Sequence, residues 1–277
     1  MIQDIFPNLN NNHFAQLRPD AGSFIMHFRG KDALARNDVQ SPFPTLSAFE
    51  SEPDCIYGFS IGDKKYFVAR PDDIEVPAGF GYIPIKDVRH AKGAMKENVY
   101  AMFTAFHLFS WYRQSRFCGI CGAPTVPAAP ERALRCTKCG NLIFPRINPA
   151  VIVGVTNGDK ILITRYAKGK GVEYDALIGG FVEIGETLEE TVSREVMEEV
   201  GLKVKNIRYY KSQPWGYSGG MLTGFYCDVD GSDAITLDEN ELGSAIWVKR
   251  EDIVGQPDAL SLTNEMMCMF RDGKIIK

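Results

Sequence analysis

No stretch of the 277-residue sequence approaches eighteen uninterrupted apolar residues, so no membrane-spanning helix is expected. The opening residues, MIQDIFPNLNNNHF, have no basic segment followed by an apolar run, so no secretory signal is expected and a cytoplasmic setting is the reading. Positive charge is in deficit: 31 Lys and Arg stand against 35 Asp and Glu, a net charge of −4. That balance leaves no global basic field for non-specific nucleic-acid binding. Histidine is scarce, with four residues, and His107 has no second ligand near it in sequence, so it reads as a packing or surface residue. Cysteine is present but not scattered. Four of the seven form two C-x-x-C pairs, which in a reducing compartment points to metal rather than disulfides. Cys55, Cys227 and Cys268 read as ordinary buried thiols.

The two pairs are Cys118/Cys121 and Cys136/Cys139, fourteen residues apart. Two tight knuckles at this spacing supply four thiolates to a tetrahedral Zn²⁺ and leave no open position, so the site is structural. Gly119, Gly122 and Gly140 suit the turns of such knuckles. Arg113, Arg116, Arg132, Arg135, Lys138 and Arg146 give this segment local basic character, either solubilising it or holding RNA.

Before it, residues 24–28, 55–61 and 65–70 read as strands, with a turn at 62–65, and residues 96–116 read as a helix. After it, residues 148–167 predict a strand, an Asn-Gly-Asp turn and a second strand. Further strands follow at VKNIRYYKSQPW, LTGFYCDV and SAIWVKR, and residues 261–271 read as a short amphipathic helix.

The densest signal is GFVEIGETLEETVSREVMEEVGL, Gly180 to Leu202. Thr187 and Glu190 have capping-box spacing, and Gly201 is placed to end the helix. Leu188, Val192, Val196 and Val200 form an apolar stripe, and Glu195 and Glu199 fall at or inside its edge with Glu198 beside them. Carboxylates crowded against a core call for a counter-charge. Arg194 neutralises one, and hard oxygen ligands point to Mg²⁺ or Mn²⁺ for the rest.

This stretch resembles the signature of Nudix hydrolases, matched at Gly180, Glu186, Arg194, Glu195, Val196, Glu198, Glu199, Gly201 and Leu202. The resemblance implies hydrolysis of a nucleoside diphosphate linked to another moiety. It implies an α+β chain: an N-terminal mixed α/β domain (1–112), a four-cysteine zinc ribbon (113–145) and a C-terminal Nudix α/β/α sandwich (146–277). Glu195, Glu198 and Glu199 become the metal and catalytic cluster, with Glu199 the essential group. Glu186 and Arg194 become an ion pair, and the Gly179 carbonyl and Glu241 further metal ligands.

A second motif, Ser212-Gln213-Pro214-Trp215 with the ribbon before it, resembles the NADH pyrophosphatase branch. That branch splits NAD(H) into nicotinamide mononucleotide and AMP. The motif departs from the branch at Gly216-Tyr217-Ser218-Gly219-Gly220, where P-F-P-x-S is the pattern. Losing two prolines reads as a more flexible loop. The substrate-binding candidates are Gln213, Trp215, Tyr217, Ser218, Gly220, Phe144, Phe181 and Thr263. Three alternatives stay open: an ADP-ribose or dinucleoside polyphosphate hydrolase, removal of NAD caps from RNA, and a nucleotide sensor without hydrolysis. The resemblance also implies a homodimer.

Overall fold

The computed structural model describes residues 1–169 and 174–275. Two compact units emerge, one of residues 2–147 with 215–219, the other of residue 1 with 148–214 and 220–277. Among the described residues no helix is long and apolar enough to cross a membrane.

The first unit begins with β1 (Asn10–Asn11), β2 (Phe24–Met26), β3 (Phe28–Arg29) and β4 (Asp32–Ala35). It continues with β5 (Cys55–Ile61), β6 (Lys64–Ala69), β7 (Gly81–Pro84), α1 (Ile85–His90) and α2 (Lys96–Gln114). The expected strand over 24–28 is divided: β2 pairs with β6 in a sheet of order β1-β5-β6-β2, while β3 joins a separate sheet, β3-β4-β7. The break falls at His27, whose ring nitrogens bond Tyr82 Oη (2.7 Å) and the Pro71 carbonyl (2.9 Å). The β5–β6 hairpin turns at Gly62 in the left-handed region (φ 55°), so β6 resumes at Lys64, one residue before the expected start. Strands β4 and β7 and helix α1 have too little periodicity to be read from sequence. Helix α2 buries Val99, Met102, Phe103, Phe106 and Phe109, and Phe28 packs against Phe106 and Phe109 with ring centroids 5.2 and 5.3 Å apart.

The same unit carries the cysteine module, a sheet of β8 (Thr125–Pro127), β9 (Leu134–Cys136) and β10 (Leu142–Ile143) in the order β10-β9-β8.

The second unit contains β11 (Asn148–Asn157), β12 (Lys160–Tyr166), β13 (Ile178–Phe181), α3 (Leu188–Val200), β14 (Val204–Trp215), β15 (Gly220–Val229), β16 (Leu242–Lys249) and α4 (Leu262–Arg271). Its sheet runs β14-β15-β11-β12-β16, with β13 on β11. Strand β11 has two partners on one side: β12 at the hairpin, through Thr156 and Asn157, and β13 along Ala150–Val153. On its other side β15 pairs in parallel over nine residues, Asn148–Thr156.

Alternation along the strands builds a three-layer sandwich. Val151, Val153, Val155, Leu162, Phe225 and Cys227 face one core with Val192, Val196 and Val200 of α3. Ile161, Ile163 and Tyr226 face the other with Leu262, Met266, Met267 and Phe270 of α4. Tyr226 fits its layer because Gly154 opposite has no Cβ, which would lie 2.7 Å from the ring, and its hydroxyl donates to the Met266 carbonyl (2.7 Å).

Candidate functional site

Helix α3 begins as the local sequence requires. Thr187 Oγ1 accepts from the Glu190 amide (3.2 Å), and the Glu190 carboxylate accepts from the Thr187 amide (2.7 Å). It ends at Gly201, left-handed at φ 68°. Val192, Val196 and Val200 are fully buried against the sheet, and this fixes the rotation of the helix and the height of every glutamate on it.

The glutamates differ sharply in environment. Glu199 is 8% exposed, beside the valine stripe. Burial, and then the charges of Glu195, Glu241, Asp238 and Glu198, push its carboxyl up to about 8. Glu195 is also raised by burial, against the opposing pull of Arg194. Glu198 is 60% exposed. Arg194 Nη1 lies between the last two, 2.8 Å from Glu195 Oε1 and 3.0 Å from Glu198 Oε2.

Glu195 reaches its position because β13 offers no side chain at Gly180. A Cβ there would overlap the Glu195 carboxylate. Gly179, one residue before, stands opposite Ile152 of β11.

The rest of the Arg194 guanidinium holds the loop that leads into the helix. Nε and Nη2 bond the two oxygens of Glu186 (2.6 and 3.0 Å), and Nη2 also bonds the Phe181 carbonyl (3.0 Å). Glu186 further accepts from Thr191 Oγ1 and the Glu183 amide (2.9 and 3.1 Å). Arg194 first, with these bonds, holds the Glu186 carboxyl down at about 2.

Glu241 lies in a segment tied to the C-terminal end of α3: the Asp238 amide donates to the Glu199 carbonyl (2.9 Å), and the Glu241 amide to the Asp238 carbonyl (3.2 Å). Asp238 and Tyr166 were not read from sequence. Asp238 adds its charge to the cluster, and the phenol of Tyr166, a side chain 37% exposed, is raised by partial desolvation and then by Glu199 and Glu241. The acidic run around 238–241 was a signal for Asp238; Tyr166 had none.

A buried carboxylate among four other acids is a poor arrangement for folding alone. Its chemistry suits a divalent cation bound by oxygen, although among the described residues only the four cysteines bring their ligand atoms within 4.8 Å of one another.

The four cysteine sulfurs lie within 4.8 Å of one another. Cys118 and Cys139 Sγ are 3.7 Å apart, and Cys121 and Cys136 Sγ 3.5 Å. A tetrahedral Zn²⁺ with bonds of about 2.3 Å places its sulfurs about 3.8 Å apart, so the set fits structural zinc. Gly122 and Gly140 are left-handed at φ 71° and 74°, closing the two knuckles. The amides of Lys138 and Cys139 donate to Cys136 Sγ (both 3.4 Å), which pulls that thiol down to about 6.

The substrate-binding candidates fall in contrasting places. Gln213 is fully buried. Its amide donates to the Leu260 carbonyl (2.8 Å) and accepts from the Leu262 amide (2.7 Å), so it holds the start of α4, where Thr263 is half-buried. Trp215 and Tyr217 are half-buried and fold with the first unit. The Trp215 ring meets Phe103 edge-on at 5.2 Å, and Tyr217 lies tilted on Phe103 at 5.8 Å. Ser218 is exposed, and Gly220 is buried opposite Asn148. Phe144 and Phe181 are each 54% exposed.

Comparison with known proteins follows the same lines. Residues 146–267 match the NUDIX domain, and residues 113–144 match the NADH pyrophosphatase zinc ribbon domain. The NAD-capped RNA hydrolase NudC of Enterobacter sp. (strain 638) is 43% identical over 146 residues, 53% of this chain and 56% of that protein. The NudC of Salmonella typhi is 42% identical over the same lengths. The chain thus spans about half the length of the curated relatives it matches. A crystal structure of a NUDIX hydrolase from Nitrosomonas europaea superposes with a TM-score of 0.50 at 20% identity, covering 57% of this chain and 92% of that one, which shows the shared fold.

Proposed function

Given that residues 146–267 form a NUDIX domain and residues 113–144 an NADH pyrophosphatase zinc ribbon domain, we propose that this protein hydrolyses the pyrophosphate of NAD(H). The products are nicotinamide mononucleotide and AMP. Removal of the NAD cap from RNA is the same cleavage on a longer substrate, and the relatives named NAD-capped RNA hydrolase support including it. The functional division is 1–112, 113–145 and 146–277, in a cytoplasmic homodimer.

The observation that carries this reading is Glu199: a carboxylate 8% exposed beside the core, with Glu195, Glu198, Glu241 and Asp238 near enough to raise it. Glu195, Glu198, Glu199 and Glu241, with the Gly179 carbonyl, would hold the divalent cation, Mg²⁺ or Mn²⁺. When bound, that cation neutralises the diphosphate charge and eases deprotonation of the attacking water. Water adds to one phosphorus, the bridging P–O bond breaks, and the water's proton passes to the carboxylate cluster. Carboxylates gathered around one cation do not have separable base roles, so the base is assigned to the cluster. Arg194 keeps Glu195 and Glu198 oriented while anchoring the Glu186 loop, a double duty that only a forked guanidinium performs. Trp215, Tyr217, Ser218 and Gly220, with Phe144, Phe181, Thr263 and the segment held by Gln213, serve the base and ribose.

The test is a panel of NADH, NAD⁺, ADP-ribose, diadenosine polyphosphates and NAD-capped RNA, each with Mg²⁺ and with Mn²⁺. Preference for NADH or NAD-capped RNA supports the reading; indifference to the nicotinamide end sinks it. The departure from the P-F-P-x-S pattern after Trp215 is what favours ADP-ribose or a dinucleoside polyphosphate as the second reading. The complete acid cluster speaks against a non-hydrolysing sensor.

A further inference from the structure

Residues 215–219 lie inside the stretch that matches the NUDIX domain, yet they fold with the first unit. The contact is tight at one point. Gly216 is buried, and a Cβ on it would overlap the Phe103 carbonyl group, which is α2 backbone and cannot swing aside. Around that point the flanking rings are held from several directions. Phe103 meets Trp215 and Tyr217, and Phe106 lies 6.4 Å from Tyr217. The Arg89 guanidinium of α1 stands 5.0 Å from the Trp215 ring, and Lys31 Nζ 4.8 Å from the Tyr217 ring. Within the turn, the Ser218 amide donates to the Trp215 carbonyl and the Gly219 amide to the Gly216 carbonyl (both 3.2 Å). The loop expected to be flexible is therefore a seated turn, and proline at 216 would not fit the seat.

We propose that α2, through the close approach of Phe103 to Gly216, and with Arg89 and Lys31 against the two rings, positions Trp215 and Tyr217, the aromatic side chains read as substrate-binding. Gly216, Phe103, Arg89 and Lys31 are positioning residues, since each acts through the two aromatic side chains. That role rests on the reading of the 212–220 segment as substrate-binding.

The experiment compares Gly216→Ala, Phe103→Leu and Trp215→Ala in the full chain, with kcat and KM for NADH, ADP-ribose and a diadenosine polyphosphate. A methyl at 216 must shift the turn by about 1 Å, and a shift of that size in positioning groups lowers efficiency by up to about a hundredfold. Gly216→Ala is expected to raise KM for the preferred substrate at least tenfold and to level the preference among the three, with kcat within about threefold and the divalent-ion requirement unchanged. Phe103→Leu is expected to move the same parameters in the same direction by less, and it carries the test if Gly216→Ala does not fold. Trp215→Ala raising KM while Gly216→Ala and Phe103→Leu leave KM and preference intact overturns the positioning role alone. If Trp215→Ala also leaves KM and preference intact, the substrate reading of the loop fails, and the proposal with it.

Discussion

Replacing Gly180 by alanine isolates the placement of one carboxylate. The backbone at this position lies outside the left-handed region, so alanine introduces no backbone strain. The three atoms nearest the added methyl all belong to the Glu195 carboxylate, the far end of a flexible side chain. To restore ordinary contact of about 3.5 Å the carboxylate must withdraw by roughly 1.5 Å, weakening its 2.8 Å bond to Arg194. Small-to-large substitutions in packed regions lower stability by about 1–3 kcal/mol. Here the lower end is expected, because the displaced atoms are partly exposed. A misplacement of that size in a reacting constellation lowers efficiency about a hundredfold, equivalent to about 2.7 kcal/mol of transition-state stabilisation. Gly180→Ala should therefore melt within a few degrees of the parent protein while losing about two orders of magnitude in kcat/KM on NADH, and its activation by Mn²⁺ should require more ion. Release of AMP across a Mn²⁺ titration, alongside a thermal melt, measures both effects. Turnover within threefold of the parent at unchanged ion dependence would refute the claim that the Gly180–Glu195 contact sets the acid cluster. So would a collapse of the fold.

Three further outcomes are expected. Glu199→Gln should lower kcat by several orders of magnitude with little change in melting temperature, because the amide matches the size of a carboxyl already raised to about 8 by burial; near-parental turnover would remove Glu199 from the mechanism. Metal analysis should find about one zinc per chain, and strong chelation should remove it with loss of the 118–139 fold; a metal-free chain with an intact ribbon would contradict the sulfur geometry. Burial lowers His27 below its usual value near 6.5, and both its bonds suit a neutral ring. The unfolded chain therefore takes up a proton first as pH falls. Stability is full above about 6.5 and declines below it toward the folded value. Urea midpoints at pH 7.5 and 5.5 should show the loss, and His27→Gln should flatten it; an equal pH slope in both proteins would show that His27 plays no part.

Helix α3 was legible because its signals are local. The Thr187–Glu190 box, the valines at every fourth position and Gly201 each act within a turn of the chain, and the acids could be placed beside the stripe by rotation alone. The cysteine spacing was legible for the same reason, since each knuckle closes over four residues. Strand β13 was not. Two glycines at its centre offset the β preference of Ile178 and Phe181, and it is a strand because β11 supplies a partner at Ala150–Val153. Gln213 looked like an open amide in a substrate motif. Its burial depends on Leu260 and Leu262, some fifty residues on.

From Gly180 to Leu202 the order of residues alone dictates a capped helix with carboxylates at the edge of its core face, because capping and periodicity are short-range forces. The four cysteines likewise name their metal chemistry through spacing. Tertiary structure decided the rest. It raised Glu199 by burying it among acids of its own helix and of the 238–241 segment, and brought Glu195 against a bare Gly180. It also turned the glycine after Trp215 from a sign of looseness into a point where the α2 backbone leaves no room for a Cβ. Each of these depends on a desolvation or a steric approach between residues distant in the chain. Such effects exist only once the chain has packed.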